Sequence, residues 1–206
     1  HGLADQPSAP FAERLARCQE AVARANAATG GSSLYFPNVT GSLARLPQRL
    51  AAARAAGCRG VLVSPWLLGL DALQLIRDQG RLAVLAHPAL TGSLFGRRAG
   101  MAPELVLGDL FRVAGADAVI YPNAGGRFDF SAATCGRIND HLRRPLGTLR
   151  PSLPAPAGGM DVARAGHWIR RYGPDTLLLI GGSLYAQGDL QRGAAALRAV
   201  VEGLAS

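Results

Sequence analysis

Leu82-Ala-Val-Leu-Ala-His87 is apolar at every position until it ends on an imidazole. A strand with one wet face alternates apolar and polar residues. Continuous apolarity marks a strand buried on both faces, the signature of all-parallel sheets. Outward from this run the phrase recurs. Gly60-Val-Leu-Val-Ser64, Ala118-Val-Ile-Tyr121 and Thr176-Leu-Leu-Leu-Ile180 read as strands, as do the β-rich Ser33-Leu-Tyr-Phe-Pro-Asn-Val-Thr40 and the extended Ser152-Leu-Pro-Ala-Pro156. Helical patterns separate them, near Ser42–Ala56, Leu70–Arg77, Pro103–Ala114, Ser131–Leu142, Val162–Tyr172 and Asp189–Leu204. A leading helix from Pro10 to Thr29 places Phe11, Leu15, Cys18, Val22 and Ala25 on one face and stops at Gly30–Gly31.

One helix followed by strand–helix units, with strand starts about 22–36 residues apart, is the rhythm of βα repeats. No linker or low-complexity stretch interrupts it, so residues 1–206 are expected to form one α/β domain. An open doubly wound sheet needs nothing more than these strands. A (β/α)8 TIM barrel needs about eight, so this chain would hold about six of them as an incomplete barrel. Pattern alone leans to the open sheet.

Composition narrows the function. The chain has 206 residues, 49% of them hydrophobic and 17% charged, which is globular rather than disordered. No apolar run reaches the roughly 18–20 residues of a membrane span. Cys18, Cys58 and Cys135 match neither a disulfide framework nor a zinc motif, and a reduced, cytoplasmic setting is expected. The net charge of +8 comes from arginine alone, because the sequence has no lysine, so no side chain here can form a Schiff base or be carbamylated. The pairs Arg97–Arg98, Arg143–Arg144 and Arg170–Arg171 are dispersed and aromatic residues make up only 6%, which argues against nucleic acid and for small anionic ligands.

In either parallel architecture the site gathers at the C-terminal ends of the strands. There the runs deliver Asn38 and Thr40, Ser64 and Trp66, His87, Asn123 with Gly125-Gly-Arg127, Gly158–Gly159, and Gly181–Gly182 with Ser183. A Gly-Gly at a strand end lets backbone N–H groups approach an anion, with a following helix dipole aimed at it; the bland alternative is a tight turn. His87 reads as a proton-transfer or oxygen-binding group, or as a satisfied structural histidine. Arg127, beyond a glycine hinge, reads as a guanidinium that closes over phosphate or carboxylate, or as a solvated surface residue. His141 and His167 lie in helical patterns among charged neighbours and read as surface residues. Dinucleotide-binding, phosphate-loop and serine-elbow motifs are absent.

In this order and register the motifs resemble the C-terminal barrel domain of the RuBisCO superfamily, in its RuBisCO-like, non-carboxylating branch. Tyr35-Phe-Pro-Asn-Val-Thr40, Ala86-His-Pro-Ala89, Gly115-Ala-Asp117 and Tyr121-Pro-Asn-Ala-Gly-Gly-Arg-Phe128 are similar to its third, fifth and sixth units, and Pro154-Ala-Pro-Ala-Gly-Gly-Met160 and Leu179-Ile-Gly-Gly-Ser183 to its seventh and eighth. The opening from His1 to Arg14 looks like the stretch just after the second barrel strand, so an amino-terminal domain and two strands would precede it.

The resemblance turns the preference to the barrel and carries a chemistry. It implies Mg2+ held by a carbamylated lysine and acidic neighbours just before His1, with His1 where carboxylating members carry the last metal-binding glutamate. It matches His87 to a histidine contacting substrate oxygens, and Gly158, Gly159, Gly181 and Gly182 to backbone phosphate contacts. Arg127 stands where true carboxylases place their mobile-loop lysine, and Pro88 and Ala157 replace an arginine and a serine that bind ribulose bisphosphate. The expectation is therefore a phosphorylated keto-sugar or sugar-acid enolised to an enediolate by a homodimer, with isomerisation, tautomerisation, decarboxylation or hydrolysis to follow. His87, Arg127 and Asn38 are the expected catalytic residues, and Asn123 joins the paired glycines on the substrate. No carbon dioxide fixation, nucleic acid or membrane is expected. A catalytically incomplete fragment or a phosphate-ligand-binding subunit is the alternative.

Overall fold

In a computed structural model of the chain, residues 6–96 and 98–205 are described. They fall into two compact units divided between Leu94 and Phe95, with Val113–Asp117 returning to the first.

The first unit is built on β1 (Gly60–Val63) and β2 (Ala83–Ala86), paired in parallel with Gly60 opposite Ala83 and Val63 opposite Ala86. Helices α1 (Phe11–Thr29), α2 (Leu46–Ala55), the short α3 (Pro65–Leu68) and α4 (Asp71–Asp78) connect and cover them. The periodicity of α1 ends as expected: Gly30 takes φ 64°, the left-handed cap, and its N–H returns to the Asn26 carbonyl. Leu46, Leu50 and Ala53 of α2 and Ala72, Leu73 and Ile76 of α4 are buried at helical spacing, with Val61, Val63, Val84 and Ala86 of the strands. Each such Leu, Ile or Val contributes about 1.5–3 kcal/mol of apolar transfer.

The second unit holds β3 (Ala118–Pro122) and β4 (Leu153–Ala157), again parallel, Ala118 opposite Leu153 and Pro122 opposite Ala157. Around them lie α6 (Ala132–Arg143), α7 (Ala165–Tyr172), the one-turn α8 (Gly182–Tyr185) and α9 (Leu190–Ala205). Ser131 caps α6, its side chain accepting the Thr134 N–H. The helix expected over Pro103–Ala114 is instead π-helical at Leu105–Leu110 and continues as the short α5 (Phe111–Ala114). Gly108 lies against α6 so closely that a Cβ there would sit 2.5 Å from the His141 Cβ.

Six parallel runs are present, but only four are regular strands among the described residues. Residues 33–40 make a single parallel bridge, Asn38 to Leu62. Val39 N–H bonds to the Leu62 carbonyl and Leu62 N–H to the Pro37 carbonyl, but Pro37 has no N–H to extend the ladder upstream. Residues 176–180 likewise make one bridge, Ala157 to Leu179. Leu177 and Leu179 donate to the carbonyls of Pro154 and Pro156, and Pro156 has no proton to return.

Among the described residues no helix is long and apolar enough to cross a membrane. Cys18, Cys58 and Cys135 are all free thiols. His141 departs from expectation: it is half-buried, its Nδ1 2.9 Å from Asp109 Oδ2, an oxygen that Arg144 Nη2 also reaches at 2.8 Å. His167 is exposed as expected, its ring edge-on to Trp168.

Candidate functional site

In the first unit, Asn38 and His87 stand on opposite sides of β1 at its C-terminal end. Asn38 bridges to Leu62 on one edge, and the His87 N–H bonds to the Val63 carbonyl on the other at 2.7 Å. Asn38 Oδ1 accepts the Thr40 N–H at 2.9 Å, an Asx turn that fixes its carboxamide. Thr40 in turn accepts the Ser64 N–H through Oγ1 at 2.9 Å. His87 is half-buried, and its Nδ1 accepts the Ala89 N–H at 3.1 Å. An imidazole nitrogen that accepts carries no proton, so the ring proton belongs on Nε2. Burial pushes the His87 pKa below the usual imidazole value, so the neutral Nε2–H form holds at pH 7. The group is a hydrogen-bond donor of fixed tautomer rather than an imidazolium acid.

In the second unit, three turns emerge at the same end because their strands are parallel neighbours. Asn123 follows β3 and donates its N–H to the Ala157 carbonyl of β4; Gly158–Gly159 follows β4; Gly181–Gly182 follows the run bridged to Ala157 through Leu179. Gly158 and Gly159 both take positive φ, 87° and 64°. Two consecutive left-handed residues require glycine, and the second has a further reason. A Cβ on Gly159 would lie 2.8 Å from the Gly125 carbonyl oxygen and 2.9 Å from Gly126 N; one on Gly126 would lie 3.2 Å from the Gly158 main chain. The Arg127-bearing loop therefore rests backbone to backbone on the Gly158–Gly159 turn. No comparable contact surrounds Gly181 or Gly182.

A helix dipole reinforces neither pair. The helix after Gly159 begins only at Ala165, and α8 after Gly181 is a single four-residue turn. Arg127 is exposed, its guanidinium carbon 4.8 Å above the Phe128 ring. Asn123 is fully buried, its Oδ1 accepting the Tyr172 hydroxyl at 2.6 Å, so it serves the loop from beneath.

Two residues at this end escaped the sequence reading. Arg164 donates to the Gly159 carbonyl at 2.7 Å and to Asp161 Oδ2 at 2.9 Å, tying down the turn's exit; Asp161 three residues before Arg164 was the local signal for it. Tyr172 had no such signal, since its partner is 49 residues away. His1, the one metal candidate within the chain, lies outside the described residues. Among those described, no group of three or more His, Cys, Asp or Glu side chains could hold a metal ion. The described residues do not fit a magnesium site.

No protein-family model matches the chain. Individual relatives do. It is 43% identical over 190 residues to ribulose bisphosphate carboxylase-like protein 1 of Rhodopseudomonas palustris, covering 92% of this chain and 50% of that protein. It is 41% identical over 208 residues to the 5-methylthioribulose-1-phosphate isomerase of Rhodospirillum rubrum, covering 100% of this chain and 54% of the isomerase. Among solved structures, a Rubisco-like protein from Rhodopseudomonas palustris superposes with TM-score 0.88 at 40% identity, over 98% of this chain and 54% of that one. The octameric Rubisco of Pyrococcus horikoshii superposes with TM-score 0.87 at 25% identity, over 97% of this chain and 49% of that one. The chain thus spans about half the length of the curated relatives it matches. Over that half it has the α/β barrel fold, and it belongs to the RuBisCO-like proteins of the RuBisCO large-chain superfamily.

Proposed function

We propose that this chain supplies the phosphoryl-binding and carbonyl-orienting part of an enzyme that enolises a phosphorylated keto-sugar or sugar-acid without fixing carbon dioxide. The observation that carries the reading is the contact of the Gly125–Gly126 loop with the Gly158–Gly159 turn: two glycine turns, and the arginine one of them bears, meet at the C-terminal end of parallel strands. Backbone amides there, with those of Gly181–Gly182, bind the phosphoryl oxygens, and Arg127 swings from the Phe128 face to close over them. Asn123 holds that loop rather than touching the substrate.

In the first unit, His87 and Asn38 are the residues proposed for the carbonyl chemistry. An Nε2–H aimed at the carbonyl oxygen stabilises negative charge as the neighbouring proton leaves, and a neutral imidazole does so without an acid's pH dependence. Asn38 orients the adjacent hydroxyl. The base that takes the proton is no lysine of this sequence, which has none. Magnesium is implied by the family resemblance, but the described residues offer no ligand set for it, and no step is assigned to it. The relatives named as isomerase and enolase support isomerisation or tautomerisation as the outcome. The octameric Rubisco supports self-association, here as a homodimer completing the site. Free thiols agree with a reducing, cytoplasmic compartment.

The test uses the full-length protein with phosphorylated keto-sugars, 5-methylthioribulose 1-phosphate among them, in deuterated water. Deuterium is expected at the carbon beside the carbonyl of at least one. Arg127→Ala should raise KM for it about 10- to 100-fold while leaving the melting temperature within about 2 °C, as befits an exposed residue. Deuterium entering no substrate would overturn the reading.

A further inference from the structure

We infer that Tyr172, on the covering helix α7, is a positioning residue for the loop that carries Arg127. How the loop is held stands on geometry alone; the consequence for anion binding rests on the phosphoryl reading above.

Asn123 is the root of that loop, and its main-chain polar groups are engaged. Its N–H bonds to the Ala157 carbonyl at 2.8 Å and its carbonyl accepts the Gly126 N–H at 3.2 Å, closing the turn. The side chain is fully buried, and its Nδ2 has no partner among the described residues. One bond therefore sets the carboxamide's orientation, the 2.6 Å contact from the Tyr172 hydroxyl to Oδ1. A buried carboxamide with one end satisfied and the other bare has much to lose from a second vacancy.

Tyr172 is itself held at both ends. Its ring stacks on Trp168, centroids 5.7 Å apart and planes within 7°. Its carbonyl accepts from Arg143 Nη1 at 2.6 Å and from Thr176 Oγ1 at 3.1 Å. The hydroxyl thus stands on a fixed post. Burial, with the Cys135 thiol beside it, pushes its pKa up to about 12, so it keeps its proton and remains a donor at any physiological pH. From Asn123 the loop runs to Gly125 and Gly126, which rest on the Gly158–Gly159 turn. A hydroxyl on the covering layer is in this way coupled to the two turns assigned to the phosphoryl group.

The experiment is Tyr172→Phe in the full-length protein, which keeps the ring and its stacking and removes only the oxygen. Amide hydrogen exchange is followed in residues 125–128 and, as the internal control, in residues 168–172 of α7. Exchange in the loop should rise roughly tenfold with α7 unchanged, and Asn123→Ala should reproduce that pattern. The double variant should exchange no faster than the faster single one, because the two side chains act through one bond. Unchanged loop exchange, or a rise shared equally by α7, overturns the assignment. Affinity for inorganic phosphate is measured alongside and should fall about three- to tenfold in Tyr172→Phe. Faster loop exchange with phosphate affinity unchanged in both Tyr172→Phe and Arg127→Ala would uphold the positioning role and overturn the phosphoryl reading.

Discussion

Gly158→Ala and Gly159→Ala differ by one position in one turn, and the structure assigns them different costs. At Gly158 φ is 87° and an added Cβ meets nothing within 4 Å, so only the left-handed backbone resists, at about 1–2 kcal/mol. At Gly159 φ is 64° and the same strain applies, but the new Cβ would also stand 2.8 Å from the Gly125 carbonyl oxygen and 2.9 Å from Gly125 C and Gly126 N. Those are main-chain atoms that no rotamer change moves aside, so the loops must part, at a further cost of about 1–3 kcal/mol. For a domain of this size each kcal/mol lowers the melting temperature by about 2–4 °C. Thermal unfolding followed by circular dichroism should therefore show a loss of roughly 2–8 °C for Gly158→Ala and a loss larger by about 2–12 °C for Gly159→Ala. Hydrogen exchange at Gly125–Gly126 should quicken only in the second. Equal losses, with the loop undisturbed in both, would refute the contact on which the phosphoryl site is built.

Two further outcomes test other parts of the structure. Arg112 is 3% exposed and faces no carboxylate in its hydrogen bonds; Nε, Nη1 and Nη2 donate to the carbonyls of Arg150, His141, Arg144 and Leu149 at 2.7–3.2 Å. Arg112→Met should strand those acceptors and lower the unfolding free energy by about 3–5 kcal/mol in urea titration, whereas a loss under about 1 kcal/mol would show that water replaces the guanidinium. His87 has its pKa lowered by burial, so the unfolded chain takes up the proton first. Stability should be full above about pH 6.5, the ordinary imidazole value, and decline as pH falls from there to the lowered folded value, a limb that His87→Asn should flatten. An unaltered acid limb in that variant would place the titration elsewhere.

The elements with local signals were legible in the sequence. Gly30 ended α1 and Ser131 opened α6, because a left-handed cap and a side-chain cap are each decided within a few residues. The strand-end positions of His87, Asn123 and the glycine pairs followed from apolar runs alone, since parallel strands all point the same way. What was missed depended on distant partners or on hydrogen-bond bookkeeping within a run. Residues 33–40 and 176–180 read as strands, yet Pro37 in the first and Pro156 opposite the second each lack a proton the ladder requires. The π-helical turn at Leu105–Leu110 has the composition of an ordinary helix; only its closeness to α6 at Gly108 sets it apart. Asn123 reads as a ligand group because it ends a strand, and nothing local signals its bond to Tyr172. That Tyr172 takes its carboxamide from below is a fact of tertiary structure. For His87 the residue type was visible but its tautomer was not, because that depends on the Ala89 N–H folding back two residues.

The alternating prolines of β4 make its two margins unlike. Along one, Leu153, Ala155 and Ala157 face β3 with donors and acceptors both available, and zip fully. Along the other, Pro154 and Pro156 offer oxygens only, which accept from the Leu177 and Leu179 N–H groups. Such a seam is the weaker of the two, and thermal breathing of this unit should begin there. The stretch that leads to Gly181–Gly182 can then lift from β4 while the β3–β4 pair, with Asn123 and the Gly158–Gly159 turn, stays closed.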